Sequence, residues 1–292
     1  MKKIFITGAL GQLGRAIYGL LKDDPQYQLY LTDFHTVDDG LIKVLDITDE
    51  ESVKAMISDF MPDIIINCAA MTAVDLCETE QEKAYKINSL GPKYLAFSAN
   101  EIGAKMIHVS TDYVYDGQAG VPYTEESETS PLSVYGKTKL AGDDFVLKSC
   151  PKALVVRTAW VYGEGKNFVK TMLRLADEGK NIRVVADQIG TPTSALELAR
   201  AIIFLMNTHS YGIYHATCEG YTTWYEFAVN IFKLAGKDVK VEAITSAEYP
   251  TPARRPMYSV LDNKGLRERH GYYMKEWKEA LVEYIDSIKY SE

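Results

Sequence analysis

The 292-residue sequence predicts an α/β fold: a Rossmann-type doubly wound parallel sheet with a smaller C-terminal α/β substrate domain. Three observations carry this expectation. Short β-rich runs alternate with helically spaced apolar residues through the first 160 positions. The first run meets a glycine-rich turn that opens a helix. Asp63 to Asn67 holds three consecutive isoleucines, the pattern of a parallel strand covered on both faces.

Lys3 to Thr7 is the first strand, ending at Gly8, and Gln12 to Lys22 follows with Leu13, Ile17, Leu20 and Leu21 on one helical stripe. Gln28 to Thr32 reads as the second strand, closing at Asp33, and Leu41 to Leu45 as the third, closing at Asp46. Thr48 is placed to cap a helix over about 49–60, with Glu51 three residues on as in a capping box. After the isoleucine strand the spacing predicts one long helix over about 80–102, then a fifth strand over Lys105 to Ser110. A loop rich in Gly, Pro and Glu runs through Pro131, followed by a helix over about 134–150 and a sixth strand over Ala153 to Thr158. Beyond Trp160 the pattern loosens into a helix over about 167–178, a strand at Arg183 to Val185 and a helix after Thr191-Pro192-Thr193. Further segments lie at Gly212 to His215, Trp224 to Leu234 and Val239 to Ile244, with a last helix near Lys275 to Ile288. The expected Rossmann domain comprises 1–160 and about 188–212; about 161–187 with 213–292 form the smaller domain.

Composition narrows the function classes. Hydrophobic residues make up 47% and charged residues 25%, enough for a full core and against a disordered chain. A net charge of -8 gives no general attraction to phosphate backbones or anionic lipid, which disfavours nucleic-acid and membrane partners. Arg254 and Arg255 can still meet an anionic small molecule at short range. The basic start is followed by three apolar residues before Thr7, too few for a signal peptide, and no apolar run approaches the roughly 18 residues of a membrane span. A cytoplasmic location is expected. Cys68, Cys77, Cys150 and Cys218 form no Cys-x-x-Cys pair and have no histidine at zinc spacing, so no metal site or disulfide framework is expected.

Gly8-Ala9-Leu10-Gly11-Gln12-Leu13-Gly14 lies at the first strand-to-helix junction. Glycine there lets the backbone approach a pyrophosphate, whose charge is met by free amides and the positive end of the helix dipole. Gly8, Gly11, Gln12, Leu13 and Gly14 are therefore candidate NAD(P) ligands. Asp33, nineteen residues after Gly14, is placed to accept hydrogen bonds from the adenosine ribose, which favours NADH and leaves NADPH open. Cys68, Ala69 and Ala70 follow the fourth strand, where small residues permit close approach of a cofactor.

Tyr135 and Lys139, four residues apart, share one helix face, so the ammonium can sit beneath the ring and favour the phenolate. A free tyrosine, with a pKa of about 10, is otherwise poorly matched to proton transfer near neutrality. Lys139 can also hold the nicotinamide ribose. Thr111, twenty-four residues before Tyr135, can hydrogen-bond the reacting oxygen. The Tyr-x-x-x-Lys spacing is common by itself; its place after a phosphate loop and five strands gives it meaning.

Together these elements resemble the extended short-chain dehydrogenase/reductases over nearly the whole chain. The likeness extends to Thr72-Ala73-Val74-Asp75, Ser110 to Tyr115, Val134 to Leu140, Arg157 to Tyr162, Gly190-Thr191-Pro192-Thr193 and Arg254-Arg255-Pro256. It implies NAD(P)H-dependent reduction of the C4 keto group of dTDP-4-dehydro-6-deoxy-L-mannose to give dTDP-L-rhamnose. Tyr135 would donate the proton, Lys139 tune it and Thr111 orient the carbonyl. The resemblance also implies that Asp46 and Ile47 contact adenine, that Asp112, Tyr113 and Trp160 line the sugar pocket, and that Arg255 meets the nucleotide diphosphate. Related dehydratases place an Asp-Glu pair after the threonine; Tyr113 stands at the glutamate position, so elimination loses its catalyst. Another nucleotide-sugar reductase, a 4-epimerase or a non-catalytic NADP-binding regulatory subunit are the alternatives, and a homodimer is compatible. Mg2+ enters only through the resemblance, at a dimer contact with acidic ligands; no ligand set is mapped, since Glu197 or the C-terminal acidic residues fit such a site no better than they fit solvent.

Overall fold

A computed structural model describes residues 1–35 and 40–289; positions 290–292, counted above in the smaller domain, lie outside the described residues. In chain order the strands are β1 (Lys2–Thr7), β2 (Tyr27–Asp33), β3 (Ile42–Val44), β4 (Ile64–Asn67), β5 (Lys105–Thr111), β6 (Ala153–Thr158), β7 (Val161–Tyr162), β8 (Ile182–Val185), β9 (Ile189–Gly190), β10 (Thr193–Ser194), β11 (Gly212–His215), β12 (Thr222–Thr223) and β13 (Val241–Ile244). The helices are α1 (Gln12–Leu21), α2 (Glu50–Phe60), α3 (Val74–Thr79), α4 (Gln81–Tyr85), α5 (Gly91–Glu101), α6 (Val134–Ser149), α7 (Phe168–Asp177), α8 (Ala195–Met206), α9 (Trp224–Leu234), α10 (Lys264–His270) and α11 (Trp277–Lys289).

Seven strands form one parallel sheet in the order β11-β6-β5-β4-β1-β2-β3. The order reverses at β1 and β4, and in such sheets ligands bind outside the carboxyl ends of the strands at this switch point. Alternation along β1 explains the layers: Ile4 and Ile6 pack with Ile17 of α1 and Ile202 of α8, while Phe5 packs with Ile57 of α2, Leu95 of α5 and Val146 of α6. All four residues of β4 are buried, as the isoleucine run predicts for a two-sided sheet. A third apolar cluster joins Tyr162, Met172 of α7, Val184 of β8, Phe227 of α9 and Leu281 of α11, and the parallel pair β8–β13 borders it.

Two expectations are corrected. The single helix over about 80–102 is instead α4, a π-helical turn at Lys86–Leu90 and α5, and α3 precedes it as a separate short helix. Pro92 cannot donate to the carbonyl of Asn88, and the Asn88 side chain is committed elsewhere, with Oδ1 accepting from the Met71 N–H at 2.8 Å and Nδ2 donating to the Met71 carbonyl at 3.1 Å. The cap of α2 is Asp49, whose carboxylate accepts the Ser52 N–H, and not Thr48, whose hydroxyl donates back to Asp46 at 2.7 Å. At the edge of the large sheet, β11 pairs with β6 over residues 212–215.

Candidate active site

The β1–α1 turn is built by close backbone approach. Gly8 has a φ of +66°, and a Cβ there would lie 2.6 Å from the Ala69 nitrogen; a Cβ on Gly14 would lie 2.3 Å from the Gly8 carbonyl oxygen. The turn after β1 is thus pressed onto the turn after β4, and nothing larger than glycine fits. Gly11 caps α1 without a side-chain hydrogen bond, and the buried Oε1 of Gln12 has no hydrogen-bond partner. Free amides, a helix N-terminus, an orphaned polar atom and a glycine cradle fit a dinucleotide pyrophosphate. Asp33 closes β2 with Oδ2 accepting the Leu10 N–H at 3.0 Å, so it braces the loop. Asp46 accepts from both the backbone and the hydroxyl of Thr48. The Ile47 side chain is in the core, against the position where a Gly91 Cβ would stand. Cys68, Ala69 and Ala70 follow β4, and Asn67 Oδ1 accepts the Ala69 N–H at 3.1 Å.

The catalytic candidates meet where β5 ends beside the first turns of α6. Ser133 caps that helix by accepting the Gly136 N–H. Tyr135 is buried and packs edge-on to Tyr113, ring centroids 5.4 Å apart. Burial pushes its phenol up; hydrogen bonding by Thr111 opposes this and the Asp112 charge adds to it. Lys139 is also buried, and its ammonium donates to the Val109 carbonyl of β5 at 2.7 Å. Burial brings it down to about 8, opposed first by the charge of Asp143. The lysine is therefore anchored on β5, and burial, not its own charge, is the largest influence on the phenol. Thr111 Oγ1 donates to Asp112 Oδ1 at 2.9 Å. Asp112 is pushed up to about 6 by burial, opposed by hydrogen bonds from Thr111 and Ser259, and its Oδ2 is buried with no partner.

Beside this corner lies a cavity of about 440 Å³ whose lining includes Tyr113, Phe168, Gln188, Trp224, Tyr249 and Arg255. Arg255 Nη2 donates to Asp75 Oδ2 at 2.6 Å and Nη1 to the Tyr113 hydroxyl at 3.3 Å, while Asp75 Oδ1 accepts the Ala253 N–H. Trp160, expected in the sugar pocket, has a φ of +46° and stacks on Trp224 with centroids 3.6 Å apart and planes 9° from parallel. A Cβ on Gly190 would come within 2.5 Å of its ring. Trp224 lines the cavity and Trp160 backs it.

Of the acidic residues considered for a divalent cation, Glu197 and Glu283 are already paired. Glu197 accepts from the Arg200 guanidinium and the Lys275 N–H, and Glu283 from Arg200 and the Lys275 ammonium, so cationic side chains already hold these carboxylates. Among the described residues no group of three or more His, Cys, Asp or Glu could hold a metal ion. No helix of the described residues is long and apolar enough to cross a membrane.

Sequence reasoning missed Asp75 as the partner of Arg255, Trp224 in the cavity, and the buried set His108, Asp143 and Arg157 that packs against Lys139. Only Asp143 carried a local signal, lying four residues after Lys139 on the same helix face.

The family model described as the RmlD substrate binding domain matches residues 1–290. The spore coat polysaccharide biosynthesis protein SpsK of Bacillus subtilis (strain 168) is 41% identical over 286 residues, spanning 98% of this chain and 97% of that protein. A dTDP-4-dehydrorhamnose reductase from Clostridium acetobutylicum is 49% identical with a TM-score of 0.93, over 98% of this chain and 99% of that structure. A second, from Bacillus anthracis in complex with NADP, is 39% identical with a TM-score of 0.93, over 98% of this chain and all of its own (100%).

Proposed function

The chain belongs to the RmlD substrate binding domain family, and from that premise we propose that it is an NAD(P)-dependent oxidoreductase reducing dTDP-4-dehydrorhamnose to dTDP-L-rhamnose. The observation that carries this reading is the meeting of Thr111, Tyr135 and Lys139 at the carboxyl end of β5 in a sheet whose first turn is a glycine cradle. Bound NAD(P)H would supply hydride to the sugar C4. Gly8, Gly11, Gln12, Leu13 and Gly14 would hold its pyrophosphate, with Cys68, Ala69 and Ala70 beside it. Asp33 would take the adenosine ribose; its carboxylate would repel a 2′-phosphate, which favours NADH over NADPH.

Tyr135 would donate its proton to the C4 oxygen. Burial keeps the phenol protonated at neutral pH, as a donor must be, and the Lys139 charge would steady the phenolate left behind. Thr111 would hold the carbonyl oxygen. The free Oδ2 of Asp112 would accept a sugar hydroxyl, and Tyr113 would border the ring. Arg255, at the rim of the cavity, would turn one face of its guanidinium to the diphosphate while Asp75 keeps the other. Phe168 and Trp224 offer flat apolar surfaces to the nucleotide base.

The purified protein is expected to oxidise NADH or NADPH when given dTDP-4-dehydro-6-deoxy-L-mannose. Tyr135→Phe should lower kcat by about 10²- to 10⁴-fold with cofactor binding retained. Near wild-type turnover by this variant would remove Tyr135 from the reaction.

A further inference from the structure

We propose that Asp143 is a positioning residue for this reduction: clamped by Arg157 in the interior, its carboxylate keeps the Lys139 side chain charged and seated against β5. The inference rests on the reductase reading above but concerns a part of the molecule that no substrate reaches.

Asp143 follows Lys139 by one helical turn on α6, and both are buried. His108 of β5 lies between them, its Nε2 3.5 Å from the Lys139 ammonium and 3.7 Å from Asp143 Oδ1. The tautomer of His108 follows from its other neighbour. Asn67 Oδ1 accepts from the Thr7 hydroxyl at 2.6 Å and from the Ala69 N–H, so its amide nitrogen is turned to His108 Nδ1, 2.9 Å away, and donates to it. The proton of the neutral ring therefore sits on Nε2. That nitrogen cannot accept from the ammonium and turns its N–H toward Asp143 instead. Asp143 Oδ1 is the carboxylate oxygen on that side of the ring, and among the described residues it has no hydrogen-bond partner.

Arg157 of β6 anchors the carboxylate, donating from Nε to Oδ2 at 3.2 Å. Its Nη1 donates to the Tyr115 hydroxyl at 2.8 Å, and Tyr115 in turn faces His215 Nε2 at 2.7 Å. His215 Nδ1 is 3.1 Å from the Asp262 carbonyl and donates to it, which fixes Nε2 as the acceptor of the tyrosine proton. The Arg157 end of this chain reaches the segment beyond β13 and holds Asp143 through Oδ2, while Oδ1 is left facing His108 at 3.7 Å. The titratable and charged groups facing the Lys139–Asp143 pair are Cys68 after β4, His108 on β5, Arg157 on β6 and Tyr115 after β5. Burial holds His108 neutral and keeps the Cys68 thiol protonated, at about 12. Asp143 is then the one anion available to the lysine, and its influence opposes the burial that brings the ammonium down to about 8.

The sign of the expected effect follows. Lys139 works as a cation, so activity is lost as pH rises through its titration, and removing the neighbouring anion moves that loss to lower pH. Asp143→Asn is expected to shift the alkaline limb of kcat down by about one unit, a loss of turnover of about two- to fivefold between the two limbs that approaches roughly tenfold above both. Because Arg157 is then left unpaired, the double variant Asp143→Asn/Arg157→Met removes both charges and should show the same shift. Independently of catalysis, the 13Cε resonance of Lys139 in the cofactor-free protein, assigned by its loss in Lys139→Arg, should titrate at lower pH in both variants. Limbs and titrations that stay in place in a folded variant overturn the inference, and if Asp143→Asn does not fold the double variant decides. A wild-type protein without reductase activity would instead defeat the functional reading, while the Lys139 titration would still test Asp143.

Discussion

The two sides of the site are built by opposite means. On the cofactor side the fit is backbone against backbone: the Gly8 turn touches the Ala69 turn, and Gly14 closes on the Gly8 carbonyl with no side chain between them. On the substrate side the fit is side chain against side chain across long separations, with Arg255 reaching Asp75 and Trp160 stacking on Trp224. A backbone site tolerates no added atom but needs few identities. A side-chain site can lose one contact and remain in shape, at the expense of affinity. Substitutions on the first side should therefore act as all-or-none, and those on the second as graded changes.

The largest effect is expected at Gly14. A methyl there would sit 2.3 Å from the Gly8 oxygen and 2.7 Å from Ala9 Cα, both backbone atoms that can move only by opening the turn. Gly14→Ala should cost about 1–3 kcal/mol of stability by overpacking and weaken NADH binding roughly 100-fold by spoiling the amide cradle. Thermal unfolding and fluorescence titration would read both. Retained cofactor affinity would show that the turn can relax, and the contrast with the substrate side would fail.

Arg255 should give the graded response. Removing a charge-assisted hydrogen bond to the diphosphate costs about 1.5–3 kcal/mol, so Arg255→Met is expected to raise KM for the nucleotide sugar roughly 10- to 100-fold with kcat changed little. Asp75→Asn, which loosens the guanidinium without deleting it, should do the same to a smaller degree. Initial rates across substrate concentrations separate KM from kcat. A fall in kcat with KM unchanged would move Arg255 from binding to the chemical step.

The same contrast explains what was legible in the sequence. Strands, the parallel sheet and the phosphate turn announce themselves locally, through the isoleucine run of β4 and the spacing of three glycines. The helix over about 80–102 was misjudged because its interruption depends on Asn88 bonding Met71 and on the close approach of Gly142 to the Asn88 carbonyl, contacts that periodicity does not encode. Trp224 and Asp75 were out of reach for a like reason. Their partners lie 64 and 180 positions away in the chain, and an unremarkable Trp or Asp becomes informative only when folding brings that partner to it. Asp143 stands between these cases, near Lys139 in sequence but tied to Arg157 by the sheet.

The smallest and most discriminating effect concerns Asp112, which bonds Thr111 on one oxygen and keeps the other buried and unpartnered, next in the chain to the cavity-lining Tyr113. Burial pushes it up to about 6, so the group is anionic above that pH and neutral below it. As the acceptor of a sugar hydroxyl it works in the anionic form; kcat/KM should therefore fall as pH drops from 7 to 5, by up to roughly tenfold. Neither Tyr135, held protonated by burial, nor Lys139, charged below about 8, changes state in this window. Asp112→Asn should lower kcat/KM at pH 7 a few-fold and flatten the acid limb. A limb that persists in Asp112→Asn would assign the ionisation to another group and leave Asp112 a structural companion of Thr111.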